Sequence, residues 1–112
     1  DPDISVMAAG SEVETALQVK EMLKDKYKVR VISVPEKEKL YYNQKYLNQL
    51  LGKVKLTVAI EAGNPTGWYR LMKGKSLVFG VEEFGFSAAG EKIAEEFGLT
   101  AEKIVEKICK SI

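Results

Sequence analysis

Four short apolar runs recur along the chain: DISVMAA at residues 3–9, KVRVISV at 28–34, KLTVAIEA at 55–62 and SLVFGV at 76–81. Each reads as a strand, the second on its β-branched side chains. The third is apolar enough to be covered on both faces, as a parallel sheet requires. Segments with a helical period lie between them. Val13, Ala16, Leu17, Val19, Met22 and Leu23 predict an amphipathic helix over residues 12–25. Ser11 opens it with S-x-x-E to Glu14, the pattern of a capping box. Pro35 ends the second strand. Leu40, Tyr46, Leu47, Leu50 and Leu51 then predict a helix or a broken helical turn before Gly52. The run from Gly63 to Gly67 is a turn, with a short helix over 67–72. A helix over 88–97 buries Ile93, Ala94 and Phe97. The last helix is the clearest: Thr100 is its N-cap, and Ala101, Ile104, Val105, Ile108 and Ile112 recur at helical spacing. Strands alternating with helices specify a three-layer α/β/α domain around a mostly parallel (mixed) sheet of about five strands.

Length and charge narrow the function. A chain of 112 residues suits one domain, residues 1–112, and buries roughly 65% of its unfolded surface, enough for its own core. No apolar run approaches the ~18 residues that cross a bilayer. No charged region leads into an apolar stretch at the N-terminus, so no signal peptide is expected. The start DPDIS lacks an initiator Met, as expected of a processed protein or a piece of a longer chain. Seventeen basic and sixteen acidic residues leave a net charge of +1, too balanced to trap nucleic acid. The most basic stretch, residues 20–30, is broken by Glu21 and Asp25 and reads as a solvated helix end. A single cysteine excludes an internal disulfide and a multi-cysteine zinc site. Cys109 falls on the apolar side of the last helix and reads as a buried small hydrophobe. The absence of histidine removes the commonest general base, so no Ser-His-Asp or Cys-His arrangement can form within this chain.

A few residues could still carry chemistry. Gly10 and Ser11 sit where a strand turns into a helix, a common phosphate position in α/β domains. The three glycines of a dinucleotide fingerprint and the lysine of a Walker loop are both missing. Gly10 therefore reads as a sharp backbone turn, with a free-standing small-anion module as the alternative. Glu61 ends the third strand, where ligands gather in open α/β sheets. It reads as an acceptor for amides of the following turn, with acid–base chemistry as the alternative. Gly63 lets the chain leave the sheet. Trp68 and Tyr69 read as turn packing or as interface anchors. Phe84 and Gly85 lead to Ser87, which reads as a helix N-cap because a serine nucleophile has no partner base here.

The ordered set AAGSEVETA, VRVISVP, VAIEAG, WY, FGFSAAG and EEFGLTAEKIVEK resembles the C-terminal domain of transketolases, over about residues 4–112. Related thiamine-dependent enzymes, deoxyxylulose-phosphate synthase and the pyruvate-type dehydrogenases, carry the same type of domain. The FG-x-SA loop with FG-L-T-x-E favours transketolase. Ala89 stands where that family commonly has proline, and residues 36–49 match only loosely. The resemblance implies a cytoplasmic, homodimeric parent enzyme of the pentose phosphate pathway that moves two-carbon ketol units between sugar phosphates. It implies thiamine diphosphate and a divalent metal (Mg or Ca), held by the two other domains of the parent. It implies no cofactor, metal or catalytic residue in this chain, no nucleic acid and no membrane. Gly10, Ser11, Glu61, Gly63, Trp68, Tyr69, Phe84, Gly85 and Ser87 are then structural or interface residues, with both glycine-aromatic loops at one end of the sheet.

Overall fold

The computed structural model describes residues 2–63, 65–80 and 100–112. Strands β1 (Ile4–Ala8), β2 (Val29–Ser33), β3 (Leu56–Ile60) and β4 (Ser76–Phe79) form one sheet in the order β2-β1-β3-β4. All three pairings are parallel, with Ile4 opposite both Val29 and Leu56. Helices α1 (Glu12–Leu23), α2 (Lys37–Tyr42), α3 (Gln44–Leu51) and α4 (Ala101–Ser111) surround it, with a 3-10 helix at Pro65–Leu71. The described residues thus give four strands, all parallel, where the sequence predicts about five. The predicted helix over 88–97, and Phe84, Gly85 and Ser87 with it, lie outside the described residues.

Side-chain alternation divides the core in two. Ile4, Val6 and Ala8 of β1, with Leu56, Val58 and Ile60 of β3, pack against α1 and α4. Met7 and Ala59 project to the other face, beneath Leu40, Leu47, Leu51, Trp68 and Leu71. β1 and β3 are therefore buried on both sides, which is why their sequences are apolar runs without polar alternation. The result is three layers.

Two buried polar side chains hold the second layer in place. Ser5 donates to the carbonyl of Leu51 at 2.8 Å, and Thr57 to that of Lys73 at 3.2 Å. Arg30 of β2 donates through Nη1 to the Leu50 carbonyl at 2.8 Å. Helix ends leave carbonyls without intrahelical partners, and Arg30 and Ser5 supply partners at the end of α3. Gly52, at φ 68°, then turns the chain away.

Of the helix or broken helical turn expected before Gly52, the broken form is found: two helices divided at Asn43, whose side chain caps α3 by accepting from Tyr46 N at 3.2 Å. Two local expectations change. Ser11 makes no capping bond. Its backbone is already helical at φ −65° and ψ −21°, and its hydroxyl donates to Glu12 Oε1 at 2.9 Å. A capping residue needs an extended backbone, as Thr100 has at φ −78° and ψ 151°, where its hydroxyl accepts from Lys103 N. Cys109 is exposed, not buried. The stripe of α4 that faces the sheet is Ala101, Ile104 and Ile108, and the next residue is turned about 100° away from it. Leu17 and Met22 likewise stand about half exposed beside the buried stripe Ala16, Val19 and Leu23.

Candidate functional site

β1 is followed by a connection to β2 on one side of it, and β3 by a connection to β4 on the other. The strand order therefore reverses between β1 and β3, and the carboxyl ends of these strands are where an open α/β sheet offers a crevice. Ala8 and Ile60 are in register there, so the Gly10 turn and Glu61 share one end of the sheet.

Glu61 continues the ladder, its amide donating to the Phe79 carbonyl at 2.9 Å. Alternation sends its side chain to the face of Ala59 and Trp68. Its carboxylate is filled by that face. Oε2 accepts from the Gly63 amide at 3.0 Å. Oε1 accepts from the Trp68 indole at 2.9 Å and from the Lys37 ammonium at 3.3 Å. Lys37 also lies 5.0 Å above the Trp68 ring, within cation–π range. Gly67 leaves room for it: a Cβ there would stand 3.3 Å from Lys37 Cε. Burial pushes the Glu61 carboxyl up, but the indole, the Gly63 amide and the ammonium outweigh it and hold the group below its usual value. A carboxylate kept ionised and fully engaged is a poor proton donor. It is an effective clamp that joins β3, α2 and the 3-10 helix.

The sign of that shift fixes a pH dependence. A carboxyl with a lowered folded pKa stabilises above its unfolded pKa, and the contribution disappears as pH falls through the folded value. Urea unfolding of the wild type should therefore weaken more steeply below about pH 5 than that of Glu61→Gln. Parallel profiles would show that the carboxylate adds no linked stability.

The sequence-identified residues meet in part. Glu61, Gly63 and Trp68 are in contact. Trp68 is wholly enclosed and packs the turn, whereas Tyr69 is about half exposed. Gly10 has φ +60° with open space around it, so conformation is what requires glycine. Ser11 is exposed, and the first turn of α1 carries Glu12 and Glu14, which fill the anion position at that helix N-terminus with acidic side chains. Sequence reasoning missed Lys37. A cation in the first turn of a helix opposes the macrodipole. That misplaced charge was the signal that some carboxylate elsewhere must hold it.

Among the described residues no group of three His, Cys, Asp or Glu side chains stands close enough to hold a metal, and no helix is long and apolar enough to cross a membrane.

Residues 1–100 match the transketolase-like TK C-terminal domain family. The chain is 40% identical over 111 residues to the transketolase of Aquifex aeolicus, covering 96% of this chain and 16% of that one. It is 41% identical over 108 residues to the chloroplastic transketolase of Solanum tuberosum, covering 93% and 14%. Among solved structures, it superposes on transketolase from Leishmania mexicana with a TM-score of 0.78 at 28% identity, covering 96% of this chain and 16% of that one. The chain thus spans about a sixth of the length of these relatives.

Proposed function

The chain belongs to the family of transketolase-like C-terminal domains, and from that premise we propose that it is the non-catalytic support domain of a transketolase. The parent would transfer two-carbon ketol units between sugar phosphates, using thiamine diphosphate and a divalent metal. Its two other domains would hold these groups, and the parent would be a cytoplasmic homodimer. The observation that carries this reading is the Glu61 carboxylate. It is the acidic group that best fits a catalytic position by sequence, and its oxygens are used to tie three elements together.

The described residues do not fit the cofactor. A diphosphate and its metal need a cradle of donors and carboxylates, and the described residues gather no such cluster. Acidic Glu12 and Glu14 occupy the first turn of α1, where a diphosphate would be drawn. The same acidic turn offers nothing to a small anion, so the binding-module alternative gains no support.

The test is a graft. This chain, joined in place of the matching segment of the Aquifex aeolicus enzyme, should restore a folded, active transketolase. The 112 residues alone should neither turn over sugar phosphates nor bind thiamine diphosphate by calorimetry. Stoichiometric binding of the cofactor to the isolated chain, or a soluble graft without activity, would overturn the proposal.

A further inference from the structure

The three strands that follow a crossover are entered through the same short motif. Lys26-Tyr27-Lys28 precedes β2, Lys53-Val54-Lys55 precedes β3 and Lys73-Gly74-Lys75 precedes β4, each motif ending one residue before its strand. Because the strands are parallel, all three motifs stand at the amino end of the sheet. All six lysines are exposed. Continued by one residue, the strand register sets Lys28 and Lys55 both opposite Asp3, and Lys75 opposite Leu56. With strands about 4.8 Å apart, Lys28 and Lys55 lie roughly 10 Å apart, and Lys55 and Lys75 roughly 6 Å. The net charge of +1 therefore conceals a basic row along one end of the molecule.

Ordinary structural reasons do not account for the Lys55 and Lys75 pair. Like charges on neighbouring strands repel. Helix C-termini attract cations only within the last turn, and both residues stand outside every helix. Lysines blunt exposed sheet edges, but β3 is an inner strand. Asp3 Oδ2 accepts from the Lys28 amide at 2.8 Å. Among the described residues no ion pair includes any of the six lysines. Lys73 Nζ donates to the neutral amide oxygen of Gln44 at 2.6 Å. Lys53 and Lys73 also wall a hollow of about 510 Å³ beside α3, with Asn48 and Gln49, and its lining holds no carboxylate.

We propose that the motifs before β3 and β4 form a docking surface for an extended, acidic polypeptide segment supplied from outside these 112 residues. The spacing is that of an extended chain. Side chains on one of its faces repeat about every 6.6–7 Å, so acidic residues at alternate positions meet Lys55 and Lys75 in succession. The sheet already holds this juxtaposition once, where Asp3 lies in register between Lys28 and Lys55. The chemistry favours carboxylates over phosphates. All six cations are lysines, and the planar fork of arginine, which matches phosphate, is absent from the motifs. A single-stranded nucleic acid needs aromatic faces for its bases, and a membrane needs an apolar anchor beside the cations. The motifs offer neither: Tyr27 and Val54 are half-buried, and Gly74 has no side chain.

Fluorescence anisotropy with a labelled peptide of alternating glutamate and serine tests this. The 112-residue chain should bind it in roughly the 10–500 µM range at low salt. Raising the salt from about 50 to 200 mM should weaken binding at least ~3-fold. Lys55→Gln/Lys75→Gln should weaken it at least ~5-fold. Lys39→Gln/Lys45→Gln removes the same charge from α2 and α3 and should change it less than ~2-fold. Both variants alter exposed side chains and should keep the wild-type circular dichroism. Should the first not fold, amide chemical shifts of the wild type decide, since the changes on adding peptide should concentrate at residues 53–55 and 73–75. No binding at about 1 mM, equal losses from the two double variants, shift changes centred elsewhere, or tighter binding of a uridine oligonucleotide or of phosphatidylserine vesicles than of the peptide would each overturn the proposal.

Discussion

Replacing Trp68 with alanine should cost about 3–5 kcal/mol of unfolding free energy. Trp68 is fully buried in the layer that contains Met7, Ala59 and Leu71, so its removal leaves a large void beneath the 3-10 helix. Its indole also supplies one of the three donors that keep Glu61 engaged, and its ring lies under Lys37. The loss therefore exceeds lost apolar area, because a half-buried ion pair becomes less well satisfied. Native domains are stable by only ~5–15 kcal/mol, so a loss of this size consumes much of the total. Trp68→Phe separates the two parts. It keeps most of the packing and removes only the N–H, and about 1–2 kcal/mol is expected. In a double-mutant cycle, Glu61→Gln should be non-additive with Trp68→Phe, since the two side chains share one bond. Trp68 is the sole tryptophan, so unfolding must be followed by far-ultraviolet circular dichroism instead of fluorescence. A loss below about 1 kcal/mol for the alanine variant would mean that the turn repacks freely and does not act as a clamp.

The contrast between Trp68 and Lys37 explains what was legible in the sequence. Strands β1 and β3 were readable because burial on both faces leaves an apolar run broken only by the small hydroxyls Ser5 and Thr57, a local pattern. α4 was readable because an N-cap and a stripe at i, i+3 and i+4 are also local. The turn around Glu61 was visible for the same reason: the Glu61–Gly63 bond spans two residues. Lys37 lies 24 residues from Glu61, and only the crossover from β2 to β3 brings them together. The exposure of Cys109 and Leu17 was lost for a related reason. Periodicity identifies a stripe, but its width depends on how α1 and α4 pack over the sheet, which no single helix records. Ser11 shows a third limit. The residue type suits a cap, but the turn leaving β1 is already helical at that position, so the hydroxyl binds Glu12 instead.

Gly80→Ala should cost about 1–3 kcal/mol, and Gly80→Val more, although neither residue meets a forbidden backbone conformation. The cause is proximity. A Cβ at Gly80 would stand 2.6 Å from Cβ, 2.8 Å from Cγ and 2.9 Å from Cδ of Pro65. Carbon atoms prefer about 3.5–4.0 Å. A flexible side chain could swing away, but a proline ring is fixed to its own backbone. Pro65 is itself buried and begins the 3-10 helix that carries Trp68. Relief must therefore come from moving the end of β4 or that helix, and moving the helix withdraws the indole from Glu61. Gly10→Ala provides the opposite case. Nothing lies within 4 Å of its new Cβ, and its φ of +60° alone sets a cost of about 1 kcal/mol. The cycle with Pro65→Gly distinguishes the two mechanisms. Opening the ring should recover most of what Gly80→Ala loses and leave the cost of Gly10→Ala unchanged. Equal costs for Gly80→Ala in both backgrounds would show that β4 yields to the new methyl, and that the Pro65 contact does not fix where the 3-10 helix sits.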